Sequence, residues 1–298
     1  MSNCRFARRS SVAHCVLLAL LVLLSTGVAQ GQTGEGRKIA DGTEPAWSPD
    51  GRWILISVLT GDQRDLFVVR PDGSERRQIT DTPDSELLAT WSADGRVSYI
   101  RPTADGIRLF VLDDPLSGAG RLRELDPHGY TPVFTSAPWT PDGAALTVVT
   151  GKSPELDIYR MPLDGSTATS LVTGRGYDGS PAWSGDGRLA FVSDRDGSRD
   201  IWVRHPDGAL QQLTTGLSTD DGPAWSPDGR WIAFVSDRTG HREIHVVPSG
   251  GGSVKQITRN EAWSNHPTWS PDGATLAYAV VTRGRGNDQV MIVSVPEG

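Results

Sequence analysis

Carboxylates recur just ahead of a repeated tryptophan in this chain: Glu44, Glu86, Asp178, Asp220 and Asp221 each lie within five residues upstream of one. Ser264, Asn265 and His266 occupy the matching stretch before the last tryptophan. Brought together in a narrow, partly desolvated ring, such carboxylates would repel one another. They would then hold a hard cation such as calcium, or the basic end of a protein or peptide partner. A solvated, turn-capping role for the same residues is the competing reading.

Other chemistries lack the residues they need. There is no G-x-S-x-G nucleophile elbow, no H-E-x-x-H and no phosphate-binding loop. Both cysteines, Cys4 and Cys15, sit in the N-terminal leader, so the mature chain is expected to have no thiol for catalysis, disulfides or metal. The histidines beyond the leader are His128, His205, His241, His245 and His266. His241 and His245 are four apart, a spacing that shares a face only on a helix. Here it falls in a strand and its preceding turn, where solvent-facing histidines are expected rather than a metal pair. The catalytic set is therefore read as empty.

The leader itself has Arg5, Arg8 and Arg9, an apolar run from Val16 to Leu24, and then small residues. That is the layout of a signal peptide over residues 1–29, with Gly27 and Ala29 placed for cleavage after Ala29. The apolar run is too short to span a bilayer, which takes about 20 residues. An exported protein, periplasmic or secreted, with no stable membrane span is expected. Without the leader, 26 basic residues face 36 acidic ones, a formal charge of −10 that argues against nucleic acid as a partner.

What must position the acidic residues is a repeat. WSPDG at Trp47, WSADG at Trp91, WTPDG at Trp139, WSGDG at Trp183, and WSPDG at Trp225 and Trp269 recur at intervals of 42–48 residues, the length of a four-stranded propeller blade. Each unit reads as strand, Asp-Gly turn, strand, polar turn, strand, turn, strand, and the 34 glycines and 20 prolines suit so many turns. The aspartates Asp50, Asp94, Asp142, Asp186, Asp228 and Asp272 precede glycine and are read as turn formers, not ligands. Asp194-Arg195 and Asp237-Arg238 end second strands and are read as structural pairs. The fold class is thus all-β, a six-bladed β-propeller over residues 30–298, with the repeated tryptophans packed between blades.

Arg37 to Ala40 resembles a fourth strand without its first three, and the last unit lacks a fourth. The N-terminal strand is therefore expected to complete the last blade and close the ring, which favours a monomer. The unit between Gly95 and Trp139 carries extra residues around Asp113 to Asp126 and 128–134, with Tyr130 and Phe134 read first as buried loop anchors and otherwise as candidate partner contacts.

WSGDGRLAFVSDRDGSRDIWV from Trp183 and WSPDGRWIAFVSDRTGHREIHVV from Trp225 resemble the TolB propeller repeat, a WD-like repeat. The resemblance runs over about residues 37–298. It implies a periplasmic or secreted binding scaffold whose central channel receives a segment of a partner. No room is left between Ala29 and Arg37 for the N-terminal α/β domain of TolB itself. Related repeats occur in propellers of prolyl-oligopeptidase-like peptidases, which would need about 200 further residues for a hydrolase domain, and in tricorn-like proteases. They also occur in oligogalacturonate lyases, whose channel metal is held by several histidines. On that pattern only His266 faces the channel here, so a lyase-like carbohydrate-active enzyme stands as the alternative to a non-catalytic scaffold.

Overall fold

The computed structural model describes residues 36–126, 133, 136, 138–152, 154–260, 262–282 and 288–295. The leader and its cleavage site lie outside these residues, as do His128, Tyr130 and Phe134.

Every repeat begins with the same turn. The hydroxyls of Ser48, Ser92, Thr140, Ser184, Ser226 and Ser270 each donate to the aspartate two residues on, at 2.5–2.7 Å. The same hydroxyls accept the backbone N–H that opens the next strand, for example Trp53 N at 3.0 Å and Arg188 N at 2.9 Å. These bonds hold the aspartates in the charged form. Asp186 is drawn down to about 2 by its bonds from Arg188 and Ser184. Asp228 is likewise drawn down to about 2, by Ser226 and then the Arg230 backbone. Asp-Gly is a turn device here, and the following glycines, Gly51 (φ 69°) among them, adopt the left-handed conformation it needs.

The strands that follow form six antiparallel sheets. Blade 1 comprises Thr43–Trp47, Ile54–Thr60, Gln63–Val69 and Arg76–Gln78. Blade 2 comprises Leu87–Trp91, Val97–Thr103, Gly106–Leu112 and Leu122–Leu125. In blade 3, Ala145–Lys152, Glu155–Pro162 and Thr169–Val172 are joined by Trp139, bridged to Leu146 at the inner-strand position. Blade 4 comprises Asp178–Trp183, Leu189–Ser193, Asp200–Arg204 and Leu210–Gln212, and blade 5 comprises Asp220–Trp225, Trp231–Ser236, Glu243–Pro248 and Lys255–Gln256. Blade 6 takes Trp263–Trp269, Thr275–Val281 and Gln289–Ser294 from the C-terminal end, and its outer strand is Arg37–Asp41, paired antiparallel with Gln289–Ser294. The ring is closed as the sequence predicts.

Second strands read as continuous apolar runs because both faces of a blade are covered by its neighbours. Six apolar clusters result, each shared by two adjacent blades. In one, Ala233, Val235 and Ile244 of blade 5 meet Trp269, Leu276 and Tyr278 of blade 6. The repeated tryptophan packs in every such interface, and in four of them its indole N–H also binds the preceding blade. Trp183 donates to Thr147 Oγ1 (2.7 Å), Trp225 to Ala182 O and Trp269 to Ala224 O (both 3.1 Å), and Trp139 to Thr90 O (3.4 Å). The apolar mass lies between blades, which leaves the axis free for a cavity.

Candidate binding site at the channel mouth

The inner strands of blades 1, 2, 4, 5 and 6 pair with their second strands on either side of a slip in register. The register shifts fall between Thr43 and Ala46, Leu87 and Thr90, Gly179 and Ala182, Asp221 and Ala224, and Asn265 and Thr268. At each bulge one residue takes a left-handed backbone: Glu44 (φ 55°), Leu88 (53°), Ser180 (48°), Gly222 (57°) and His266 (52°). All five are the third residue before a motif tryptophan, and Ser136 holds that place in blade 3. A bulge re-aims a side chain while keeping the strand paired on either side. The six residues accordingly line one cavity of about 590 Å³ on the axis. Below them the wall is small or rigid: Ala46, Thr90, Pro138, Ala182, Ala224 and Thr268 stand next to the tryptophans and keep the channel open.

This placement corrects the acidic ring. Of Glu44, Glu86, Asp178, Asp220, Asp221 and His266, only Glu44, Asp221 and His266 line the cavity. Glu86 immediately precedes its strand, Asp178 and Asp220 open theirs, and all three side chains are fully buried. Each is held by an arginine from the end of the neighbouring strand. Arg101 Nη2 lies 2.9 Å from Glu86, Arg195 Nη2 lies 2.8 Å from Asp178, and Arg238 Nη2 lies 2.7 Å from Asp220. Thr80 and Thr82 also bond Glu86. The recurring Asp-Arg pairs act as one structural device: the arginine anchors the buried carboxylate, and Asp194 and Asp237 accept the N–H of Tyr177 (2.7 Å) and Thr219 (2.8 Å). The five carboxylates and His266 do not converge, and among the described residues no group of three His, Cys, Asp or Glu side chains is placed to hold a metal ion.

The remaining polar groups differ around the rim. Glu44 Oε2 accepts the Leu88 N–H at 2.7 Å, bridging blades 1 and 2. Asp221 Oδ1 accepts from Ser180 Oγ at 2.9 Å and from the Gly222 N–H at 2.8 Å, bridging blades 5 and 4. Arg242, which follows the turn between the second and third strands of blade 5, reaches the cavity wall with Nη2 3.6 Å from Asp221 Oδ2. Tyr177 lines the wall beneath the Arg199 guanidinium, 4.4 Å from its ring centre, and burial pushes its phenol up from the ordinary value. His266 is exposed to the cavity. Strand direction puts this end of the channel on the face that carries the turns between second and third strands.

Leu88, Ser136, Ser180, Gly222, Tyr177 and Arg242 are site residues that sequence reasoning missed. The first four share one offset from the tryptophan, a signal that was legible once the offset rather than the charge was followed. Arg242 has no such signal. The histidine reading is corrected at His245, which is buried rather than solvent-facing. Its Nδ1 lies 3.1 Å from Glu243 O, its ring is tilted against Phe234, and burial lowers its pKa from the ordinary value. His241 is exposed. No helix among the described residues is long and apolar enough to cross a membrane.

Comparison with known proteins gives a family-model match over residues 189–297, described as the TolB beta propeller domain. A protein from Agrobacterium fabrum, Atu1656, is 28% identical over 173 residues, covering 55% of each chain. The peptidase YuxL of Bacillus subtilis is 26% identical over 153 residues, 51% of this chain but 21% of its own length. The chain thus spans about half of the first relative and a fifth of the second. TolB from Acinetobacter baumannii superposes with a TM-score of 0.64 at 20% identity, covering 85% of this chain and 63% of that one, a likeness of fold.

Proposed function

Because the chain is a TolB-like β-propeller with an open axial cavity, we propose that it is an exported interaction scaffold that takes an extended peptide segment of a protein partner into the channel mouth. The observation that carries this reading is the bulge ring: side chains from all six blades line a cavity of about 590 Å³, within the roughly 300–1,000 Å³ range of ligand sites. Non-glycine residues in the left-handed region cost about 1–2 kcal/mol each. Glu44, Leu88, Ser180 and His266 bear that cost at the cavity wall, where strain marks sites of recognition. The leader supports export. The peptidase activity in the YuxL name belongs to a protein of which this chain matches a fifth. A lyase-type channel metal would need several histidines, and His266 is the one histidine among the described residues of the cavity wall.

The test is selection of a random heptapeptide display library on the mature propeller, with affinities of the selected peptides read by fluorescence anisotropy. A Gly222→Trp variant plugs the channel at a position whose equivalents already carry Leu and His in the same backbone conformation. Peptides that bind the native protein and lose at least tenfold on the plugged one support the reading. An empty selection, or binding indifferent to the plug, overturns it.

A further inference from the structure

We infer that Arg242 is the specificity determinant of this site, a receptor for a carboxylate carried by the incoming segment; the inference rests on the peptide-binding reading above. An arginine offers five N–H donors in a planar fork shaped for a carboxylate. The Arg242 side chain makes no hydrogen bond to the described residues. Its Nε is buried without a partner, and its side chain is 32% exposed. The nearest carboxylate, Asp221, stops at 3.6 Å because Ser180 Oγ and the Gly222 N–H hold its Oδ1 on the blade 4 side. The contrast lies at the terminal nitrogens: Arg101, whose Nε also lacks a partner among the described residues, Arg195 and Arg238 each bond a fully buried carboxylate through Nη2 at 2.7–2.9 Å. Those three arginines are structural, whereas Arg242 is positioned by Asp221 without being satisfied by it.

The rest of the rim orients the ligand. Going around the ring, blade 5 presents Arg242 beside Asp221, blades 6 and 1 present His266 and Glu44, and blades 2, 3 and 4 present Leu88, Ser136 and Ser180. A bound segment therefore turns its carboxylate to blade 5 and N–H donors to Glu44, and lays an uncharged face against blades 2 to 4. The carboxylate is supplied either by an acidic side chain or by a chain end.

The experiment uses peptides selected on the full mature protein, from libraries with free and with blocked C-termini. The best binder is synthesised as its C-terminal acid, its C-terminal amide and with each Asp or Glu changed to Asn or Gln, and titrated against native, Arg242→Gln, Arg242→Lys and Gly222→Trp proteins. Enrichment of carboxylates is expected, with at least a tenfold loss in Arg242→Gln that Arg242→Lys only partly restores. Loss on amidation assigns the group to a chain end; loss on Asp→Asn or Glu→Gln assigns it to a side chain. A binder that loses affinity on Gly222→Trp but ignores both Arg242→Gln and removal of its carboxylates overturns this inference and leaves the peptide-binding reading standing. An empty selection overturns both.

Discussion

Replacing Trp225 by Phe removes an inter-blade hydrogen bond while leaving an aromatic ring in the core. Trp225 is 8% exposed, donates to Ala182 O of the preceding blade at 3.1 Å, and lies under the Arg188 guanidinium at 4.4 Å. The lost hydrogen bond is worth about 1 kcal/mol, and the smaller ring forfeits packing and part of a cation–π contact worth about 0.5–1 kcal/mol. A destabilisation of about 2–3 kcal/mol follows. For a domain of this size it lowers Tm by roughly 5–10 °C, at 2–4 °C per kcal/mol. Trp91 is the internal control, since its Nε1 is buried with no acceptor among the described residues. Trp91→Phe loses similar packing but also relieves an unpaired donor whose burial costs about 1–3 kcal/mol, so its net effect is near zero. Urea midpoints at constant m-value and calorimetric Tm, measured on both variants at pH 7, decide the matter. Equal shifts for the two substitutions would refute the claim that the indole N–H clamps blades together.

Three further outcomes are expected. Arg238→Met strands the fully buried Asp220 carboxylate and should cost about 3–5 kcal/mol, with Asp220→Asn in the same background recovering much of the loss in urea melts. Asp186 and Asp228 are held down to about 2, so the stability they contribute is present above the unfolded carboxylate range and is lost as pH falls from about 4 towards 2. Asp186→Asn plus Asp228→Asn should flatten Tm against pH over that window. Burial lowers the His245 pKa, so below about pH 6.5 the unfolded chain binds a proton that the folded chain refuses, and stability falls on acidification. His245→Phe should remove that part of the slope between pH 7 and 5; an unchanged slope would show that another group titrates.

The repeat alone determined the fold, because W-S-x-D-G writes a complete local structure: a hydroxyl, a carboxylate and a glycine close a turn within six residues, whatever surrounds them. The incomplete last unit and the RKIA strand likewise foretold the closure, since an unpaired outer edge demands a fourth strand and only the N-terminal segment matches one. Charge was the poorer guide to the site. Glu86, Asp178 and Asp220 look in sequence like Asp221, yet the first three are buried against arginines and the fourth meets the channel. Asp220 and Asp221 both pair regularly with the second strand of blade 5 before the bulge, so strand alternation separates their fates: successive side chains point to opposite faces. Arg242 belongs to the site because it follows a turn of blade 5 at the channel mouth, and its lack of a hydrogen-bonded partner among the described residues depends on how Ser180 of the preceding blade holds Asp221. Those relations join residues about 20 to 60 positions apart through packing alone, and only the closed ring brings them to one place.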